Sequence, residues 1–156
     1  MLLNSKALSV AIIGLCLTGV ALAAEKRISK SDLPHAVQKT AEEESQGSIV
    51  RGYTTDTESG RVEYEVQMTT HGHSKDVTIA PDGQLMEVEQ QVTMDTLPAD
   101  VKAGLRGKAG KGRIAKIESL TKHGSIVAYE AQVMITTGKH SEVQIGPDGK
   151  PLAHEE

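Results

Sequence analysis

The sequence has few of the residues on which many binding and catalytic sites depend. Its 156 residues include no Phe, no Trp, only three Tyr and one cysteine, Cys16. Aromatic platforms that stack bases or sugars, and the aromatic anchors of tight protein interfaces, are therefore scarce. A single cysteine also leaves no partner for a disulfide within the chain. The core must consequently be built from Val, Ile, Leu, Met and Ala.

The first residues predict export. Residues 1–23 contain one early lysine, an apolar run and the small-residue ending Ala21-Leu22-Ala23, a pattern typical of a cleaved secretory signal peptide. The mature chain then begins near Ala24 and loses Cys16, so it has no thiol nucleophile or thiolate ligand. Because the apolar run is shorter than the roughly 20 residues of a membrane span, we expect a periplasmic or secreted protein without stable membrane insertion.

Charge is distributed unevenly along the chain. The formal net charge is −4, which disfavours binding to nucleic acid. Residues 25–90 carry 13 acidic and 7 basic residues, whereas residues 91–156 carry 8 and 9. The basic stretch of the second half includes Arg106, Lys108 and Lys111. Such a stretch is either a solvated face or a contact for an anionic partner, such as an envelope lipid surface or an acidic protein.

The second half of the chain repeats motifs of the first. Three motifs recur 64 to 66 residues later: Leu33-Pro34 as Leu97-Pro98, Tyr64-Glu65 as Tyr129-Glu130, and Pro81-Asp82-Gly83 as Pro147-Asp148-Gly149. This period indicates two tandem copies of one unit, over residues 25–90 and 91–156. Since a unit of about 65 residues without a disulfide is marginally stable alone, we expect the units to share a sheet or an interface.

Within each unit the pattern predicts one helix followed by antiparallel strands. Ser31 and Asp32 are suitable helix caps, with Pro34 in the first turn. Residues 61–68 alternate, which places Val62, Tyr64, Val66 and Met68 on a core face, and residues 127–135 repeat this pattern. Pro-Asp-Gly predicts a tight turn that closes a hairpin. Four glycines within residues 104–112 weaken the second helix, each by up to about 1 kcal/mol relative to Ala.

The motifs occur in the order Leu-Pro-x-x-Val on a helix, Tyr-Glu on a strand and Pro-Asp-Gly before a final strand. In this order of motifs the sequence resembles the PepSY-like, β-lactamase-inhibitor-like family of exported bacterial proteins. The resemblance covers nearly all of the mature chain as two tandem copies. It implies an α+β fold in which each unit packs a helix on a three- to four-stranded antiparallel sheet, and the two sheets can join into one. It also implies an envelope location and supplies no catalytic residues.

The alternating strands suggest a binding face. The polar residues opposite the core face are Glu63, Glu65 and Gln67 in the first unit, and Glu130 and Gln132 in the second. These residues predict a non-catalytic module that binds, and can inhibit, an envelope protein or peptide. Glu65 and Glu130 could form a catalytic carboxylate pair only if the fold brought them together, and surface glutamates are the simpler interpretation. Because no catalytic motif is recognisable, we predict that the protein is not an enzyme.

A histidine pair offers an alternative function. His71 and His73 flank Gly72 between two predicted strands, and His140 lies in the matching segment of the second unit. Two such histidines can share a divalent metal ion, with His140 or Asp76 completing the ligand shell. The alternative is a polar hairpin tip. We otherwise expect no cofactor.

Overall fold

The structure, a computed structural model, describes residues 25–156 except residues 59, 136, 137, 139 and 155. The predicted signal peptide, residues 1–23, lies outside the described residues. The helices are α1 (His35–Glu44) and α2 (Ala99–Ala109). The strands are β1 (Lys26–Ile28), β2 (Ile49–Glu58), β3 (Arg61–Thr70), β4 (His73–Ile79), β5 (Leu85–Gln91), β6 (Arg113–Lys122), β7 (Ser125–Met134) and β8 (His140–Ile145).

All eight strands form one antiparallel sheet in which every strand pairs with the next along the chain. The α+β class expected from the sequence is therefore confirmed, and of the two alternatives, a shared sheet or an interface, the structure shows a shared sheet. The two halves join where residues 87–91 of β5 pair with residues 118–122 of β6. The predicted boundary between residues 90 and 91 thus lies at the end of a strand that pairs with the second half. Division of the chain into two tandem units stays a prediction.

Both helices pack on the same face of the sheet. Val37 and Ala41 of α1, four residues apart and therefore on one side of the helix, are buried. They pack with buried residues of β3 and β4: Val66, Met68, Val77 and Ile79. The helix α2 buries Val101 and Leu105 in the same way against residues of β6, β7 and β8: Ile117, Tyr129, Ala131, Val133 and Ile145. The opposite face of the sheet carries mainly polar side chains, together with the buried Leu120 and Ala128.

The repeated Pro-Asp-Gly turn connects the sheet to the helices. Gly83 has a φ of +89°, and its N–H donates to the carbonyl of Ala80 at 2.8 Å, as the predicted tight turn requires. Thr40 of α1 donates its hydroxyl to the carbonyl of Gly83 at 2.7 Å. A Cβ on Gly83 would lie 2.8 Å from the carbonyl oxygen of Ala36. Glycine is thus needed both for the backbone conformation and for close contact with α1.

The second helix forms despite its glycines. Gly104 and Gly107 lie within α2, and Gly110 ends it with a φ of +56°. A Cβ on Gly104 would overlap with the carbonyl oxygen of Gly149, in the second Pro-Asp-Gly turn. Close packing of the helix against this turn and the sheet therefore offsets the low helix propensity of glycine.

Two local expectations are wrong. The helix α1 begins at His35 after Pro34, whereas Asp32 lies in a preceding 3₁₀ turn and accepts a 2.9 Å hydrogen bond from the N–H of Ser29. The proline limits the preceding residue to extended backbone, which separates that turn from the helix. Val62 was expected in the core but is 42% exposed, because it lies near the β2–β3 turn, beyond the core residues beneath α1.

Candidate functional site

The sheet face opposite the helices, called the open face below, carries the predicted binding residues. Glu63, Glu65 and Gln67 alternate along β3 with the buried Val66 and Met68. Strand register places Glu130 and Gln132 of β7 on the same face. The sheet does not bring Glu65 and Glu130 together, because four strand steps of about 4.8 Å separate them by roughly 19 Å.

At the middle of the open face three carboxylates converge. Asp76 of β4 is directly opposite Glu89 of β5, and Glu118 of β6 is opposite Gln91, two residues further along β5. One carboxylate oxygen from each of these three acids lies within 4.8 Å of the other two. Glu118 is only 4% exposed, and its Oε1 lies 2.6 Å from the ammonium of Lys116. The charge of Lys116 is thus set against a group of three acids.

The carboxylate cluster changes the acidity of its members. Burial, followed by the negative charges of Glu118 and Glu87, raises the pKa of Glu89 from 4.5 to about 8. Burial is also the main cause of the raised pKa of Asp76, which Lys116 partly opposes. Glu89 is therefore largely protonated at neutral pH and remains so until the solution becomes mildly alkaline.

Beside the cluster lies a cavity of about 410 Å³ on the open face. Its carboxylates are contributed by β2, β3 and β5 and by two residues outside the strands: Asp56, Glu63, Glu65, Glu87, Glu89, Glu25 and Glu156. Lys122 and His123 also line it. Glu89 belongs to both features and joins the cavity to the carboxylate cluster.

Lys122 shows how this cavity holds a cation. Its Nζ lies 3.2 Å from a carboxylate oxygen of Glu87 and 3.3 Å from one of Glu156. Burial acts to lower the pKa of Lys122, but hydrogen bonds and attraction from these two carboxylates outweigh it, and the pKa is raised. An ammonium group in this cavity is thus stabilised in its charged form.

Two further groups of the cavity are poorly solvated. Burial raises the pKa of Glu65, although its Oε1 accepts a 3.0 Å hydrogen bond from Gln67 Nε2. Thr54, opposite Glu65 across β2 and β3, is 5% exposed and lines the cavity. Among the residues that the structure describes, its buried hydroxyl oxygen has no hydrogen-bond partner. Buried polar groups usually have one, so this hydroxyl retains unused hydrogen-bonding capacity.

The histidine pair lies at the β3–β4 turn. His71 is exposed in the turn with a φ of +51°, and His73 begins β4. Alternation along β4 places Asp76 on the opposite face of the sheet from His73. His140 lies on β8, four strands or about 19 Å from β4. Neither predicted third ligand is therefore brought to the pair, and metal binding by His71 and His73 stays a prediction.

The basic stretch lies on the helical side of the sheet. Arg106 and Lys108 are exposed in the last turn of α2, where positive charge is favourable for the helix dipole. Lys111 is exposed just after the helix. These side chains are thus separated from the acidic open face by the sheet, and their contact with an anionic partner stays a prediction.

Sequence reasoning missed much of this site. Thr54, Glu89, Glu118 and Lys122 were not identified as candidates. Glu87, Glu89 and Gln91 alternate along β5, which was a usable signal for a strand with one polar face. Asp76 and Glu118 come close to Glu89 only through the pairing register of β4, β5 and β6, which the alternation along each strand does not reveal.

Comparison with known proteins identifies the fold. No protein family and no curated protein sequence matches the chain. Within the described part of the chain, no helix is long and apolar enough to cross a membrane. Solved structures do match, although the sequences share little identity.

The matching structures include three from Bacteroides species with TM-scores above 0.5. A protein of B. eggerthii named as periplasmic is 16% identical with a TM-score of 0.62, over 76% of this chain and 84% of that one. A DUF2874 family protein of B. ovatus is 16% identical with a TM-score of 0.61, over 77% and 84%. A BLIP-like protein of B. fragilis is 15% identical with a TM-score of 0.57, over 80% and 85%.

These likenesses agree with the β-lactamase-inhibitor-like resemblance at the level of the fold, whereas the PepSY-like assignment and tandem copies stay predictions. The periplasmic description of the B. eggerthii protein agrees with the export predicted from residues 1–23. The chain thus has the fold of BLIP-like and DUF2874 proteins.

Proposed function

We propose that the mature chain is a non-catalytic periplasmic module that binds a basic segment of an envelope protein or peptide on the open face of its sheet. The observation that carries this proposal is the concentration of carboxylates on that face. Asp76, Glu89 and Glu118 share one site there beside Lys116, and Glu89 holds a proton to about pH 8. A cationic partner would relieve this repulsion.

The chemistry of the face favours charge recognition over apolar burial. With no Phe or Trp in the chain, the face has few of the anchors that produce tight interfaces. Complementary charge instead accelerates association and selects the partner, and salt weakens it. We therefore expect modest affinity with strong dependence on ionic strength.

The periplasmic location is supported by the predicted signal peptide and by the descriptions of proteins with the same fold. The organisation as two tandem copies is supported by the recurring motifs and by a recurring order of elements, a helix followed by three strands, which is α1-β2-β3-β4 in the first half and α2-β6-β7-β8 in the second. In both halves a Pro-Asp-Gly turn contacts the helix of its own half. We infer that each copy contributes half of one binding face.

The test is peptide binding measured by fluorescence anisotropy. Extended peptides rich in Lys and Arg should bind, whereas peptides of equal length with Gln at those positions should not, and binding should weaken as salt is added. The variants Glu65→Gln and Glu130→Gln should each weaken binding by about two- to fivefold, the effect of one partly screened charge.

The matched control is Glu43→Gln, which removes an exposed carboxylate from α1 on the helical side. It should leave peptide affinity unchanged. Equal binding of basic and neutral peptides, or an equal loss in the Glu43 variant, would show that the open face does not recognise a basic partner.

A further inference from the structure

We propose that the cavity on the open face binds a primary ammonium or guanidinium group carried on an aliphatic stem. The inference deepens the proposed function and rests on it, because it names the group of the partner that enters the face. The source of that group is either a Lys or Arg side chain of a bound peptide or a free aliphatic polyamine.

Charge is the first argument for this ligand. Among the described residues, seven carboxyl groups line the cavity, and Lys122 is the one Lys or Arg with them. Even with Glu89 protonated, the carboxylates exceed the cations by several charges. Lys122 engages Glu87 and Glu156, on one side of the cavity. A second cation beside Glu65 and Asp56 would reduce the remaining repulsion.

The hydroxyl of Thr54 is the second and independent argument. It is buried in the cavity wall, directly across from Glu65, and no residue that the structure describes bonds to it. A hydroxyl oxygen can accept an N–H, and a carboxylate accepts several. Thr54 and Glu65 together therefore offer two acceptors of different strength to one ammonium or guanidinium group, which has three to five N–H donors.

Size and lining favour a group on a stem over a bare ion. The cavity of about 410 Å³ is far larger than one ammonium and falls in the range of sites for small organic ligands. Met86, the extra residue where β5 bulges against β4, lines it and supplies an apolar contact. The carboxylate cluster of Asp76, Glu89 and Glu118 is more closely spaced and would suit a metal ion better than the cavity does. Apart from the negative charge of the cluster, no observation in the described residues points to an ion there.

The test compares two ligands that differ only in the ammonium group. N-acetyl-lysine N-methylamide and its norleucine counterpart are titrated into the ¹⁵N-labelled mature chain, with spermidine as the free polyamine. The lysine compound should shift the amide signals of Thr54 and Glu65, and the norleucine compound should bind at least about tenfold more weakly, since it lacks the charge-assisted hydrogen bonds.

Two variants test the residues. Thr54→Val keeps the shape of the side chain and should weaken binding of the lysine compound about three- to tenfold. Glu65→Gln should weaken it by a similar factor. Because Thr54→Val also removes an unpartnered buried hydroxyl, its thermal stability should stay equal to that of the parent or increase. Loss of binding in a fully folded variant therefore reports the ligand contact. Thr57→Val, at an exposed position of the same strand, is the control.

The outcomes separate this inference from the proposed function. Equal binding of the norleucine compound, or unchanged binding by both variants, overturns the cavity site. If the cavity site is overturned but basic peptides still bind, and Glu130→Gln still weakens their binding, the proposed function stands without the cavity site. If spermidine binds in the cavity while basic peptides do not bind at all, the ammonium site holds with a free polyamine as its ligand, and the proposed function fails.

Discussion

Replacing Glu89 with Gln should stabilise the protein in a pH-dependent way. The variant keeps the size of the side chain and removes its titration. Because the pKa of Glu89 in the folded chain, about 8, exceeds its ordinary value of 4.5, the folded state holds a proton that the unfolded state releases between these values. By linkage, the stability of the parent falls as pH rises from about 4.5 to about 8.

The magnitude follows from the pKa and from the exposure of the side chain. Each tenfold change in the acid constant is worth about 1.36 kcal/mol, so movement from 4.5 to about 8 has an upper bound of about 5 kcal/mol. Solvent screening of the partly exposed carboxyl reduces the expected effect to about 1–2 kcal/mol. In a chain of this length that is an increase in Tm of roughly 3–8 °C.

Several charged groups contribute to this environment from the neighbouring strands. They are Asp76 on β4, Glu87 on β5, Glu118 and Lys116 on β6, and Glu130 on β7. Glu89→Gln changes the electrostatic interactions among the remaining acids. The difference in stability between variant and parent therefore reports on the cluster as a whole.

The assay is urea unfolding followed by far-ultraviolet circular dichroism, since the chain has no Trp, from about pH 5 to pH 9. The gain of the variant over the parent should be small at the acid end, increase to about pH 8 and then level off. Glu43→Gln should show no such trend, and a gain of equal size at every pH would refute the account of the cluster.

Two further predictions concern the helix and the histidine pair. Gly104→Ala should destabilise the chain by about 1–3 kcal/mol despite the better helix propensity of Ala, because its Cβ would overlap with the carbonyl of Gly149; Gly107→Ala, with open space around it, should instead stabilise by up to about 1 kcal/mol. Equal changes in the free energy of unfolding for Gly104→Ala and Gly107→Ala, measured by chemical denaturation, would contradict the close packing of α2 at Gly104. If His71 and His73 bind Zn²⁺, titration calorimetry should show binding by the parent that a His71→Ala, His73→Ala variant lacks, and equal binding by both would exclude this pair.

The local patterns of the chain were sufficient to predict a helix followed by antiparallel strands in each half and the polar faces of β3 and β7. Alternation along β3 and β7 placed Glu65 and Glu130 opposite the core side chains, because successive side chains of a strand point to opposite faces. The Pro-Asp-Gly turns were also predictable, since proline and glycine restrict or permit backbone angles within a few residues. These signals depend only on neighbours in the sequence, and for this reason they were readable without the fold.

Only the tertiary structure decided which polar residues meet. Asp76, Glu89 and Glu118 come from three strands, and their convergence depends on register, which a shift of one residue would abolish. The close packing that allows Gly104 in a helix likewise depends on a turn 45 residues away in the chain. The sequence by itself determined the α+β fold and a polar sheet face, and long-range strand pairing turned that face into an acidic cavity.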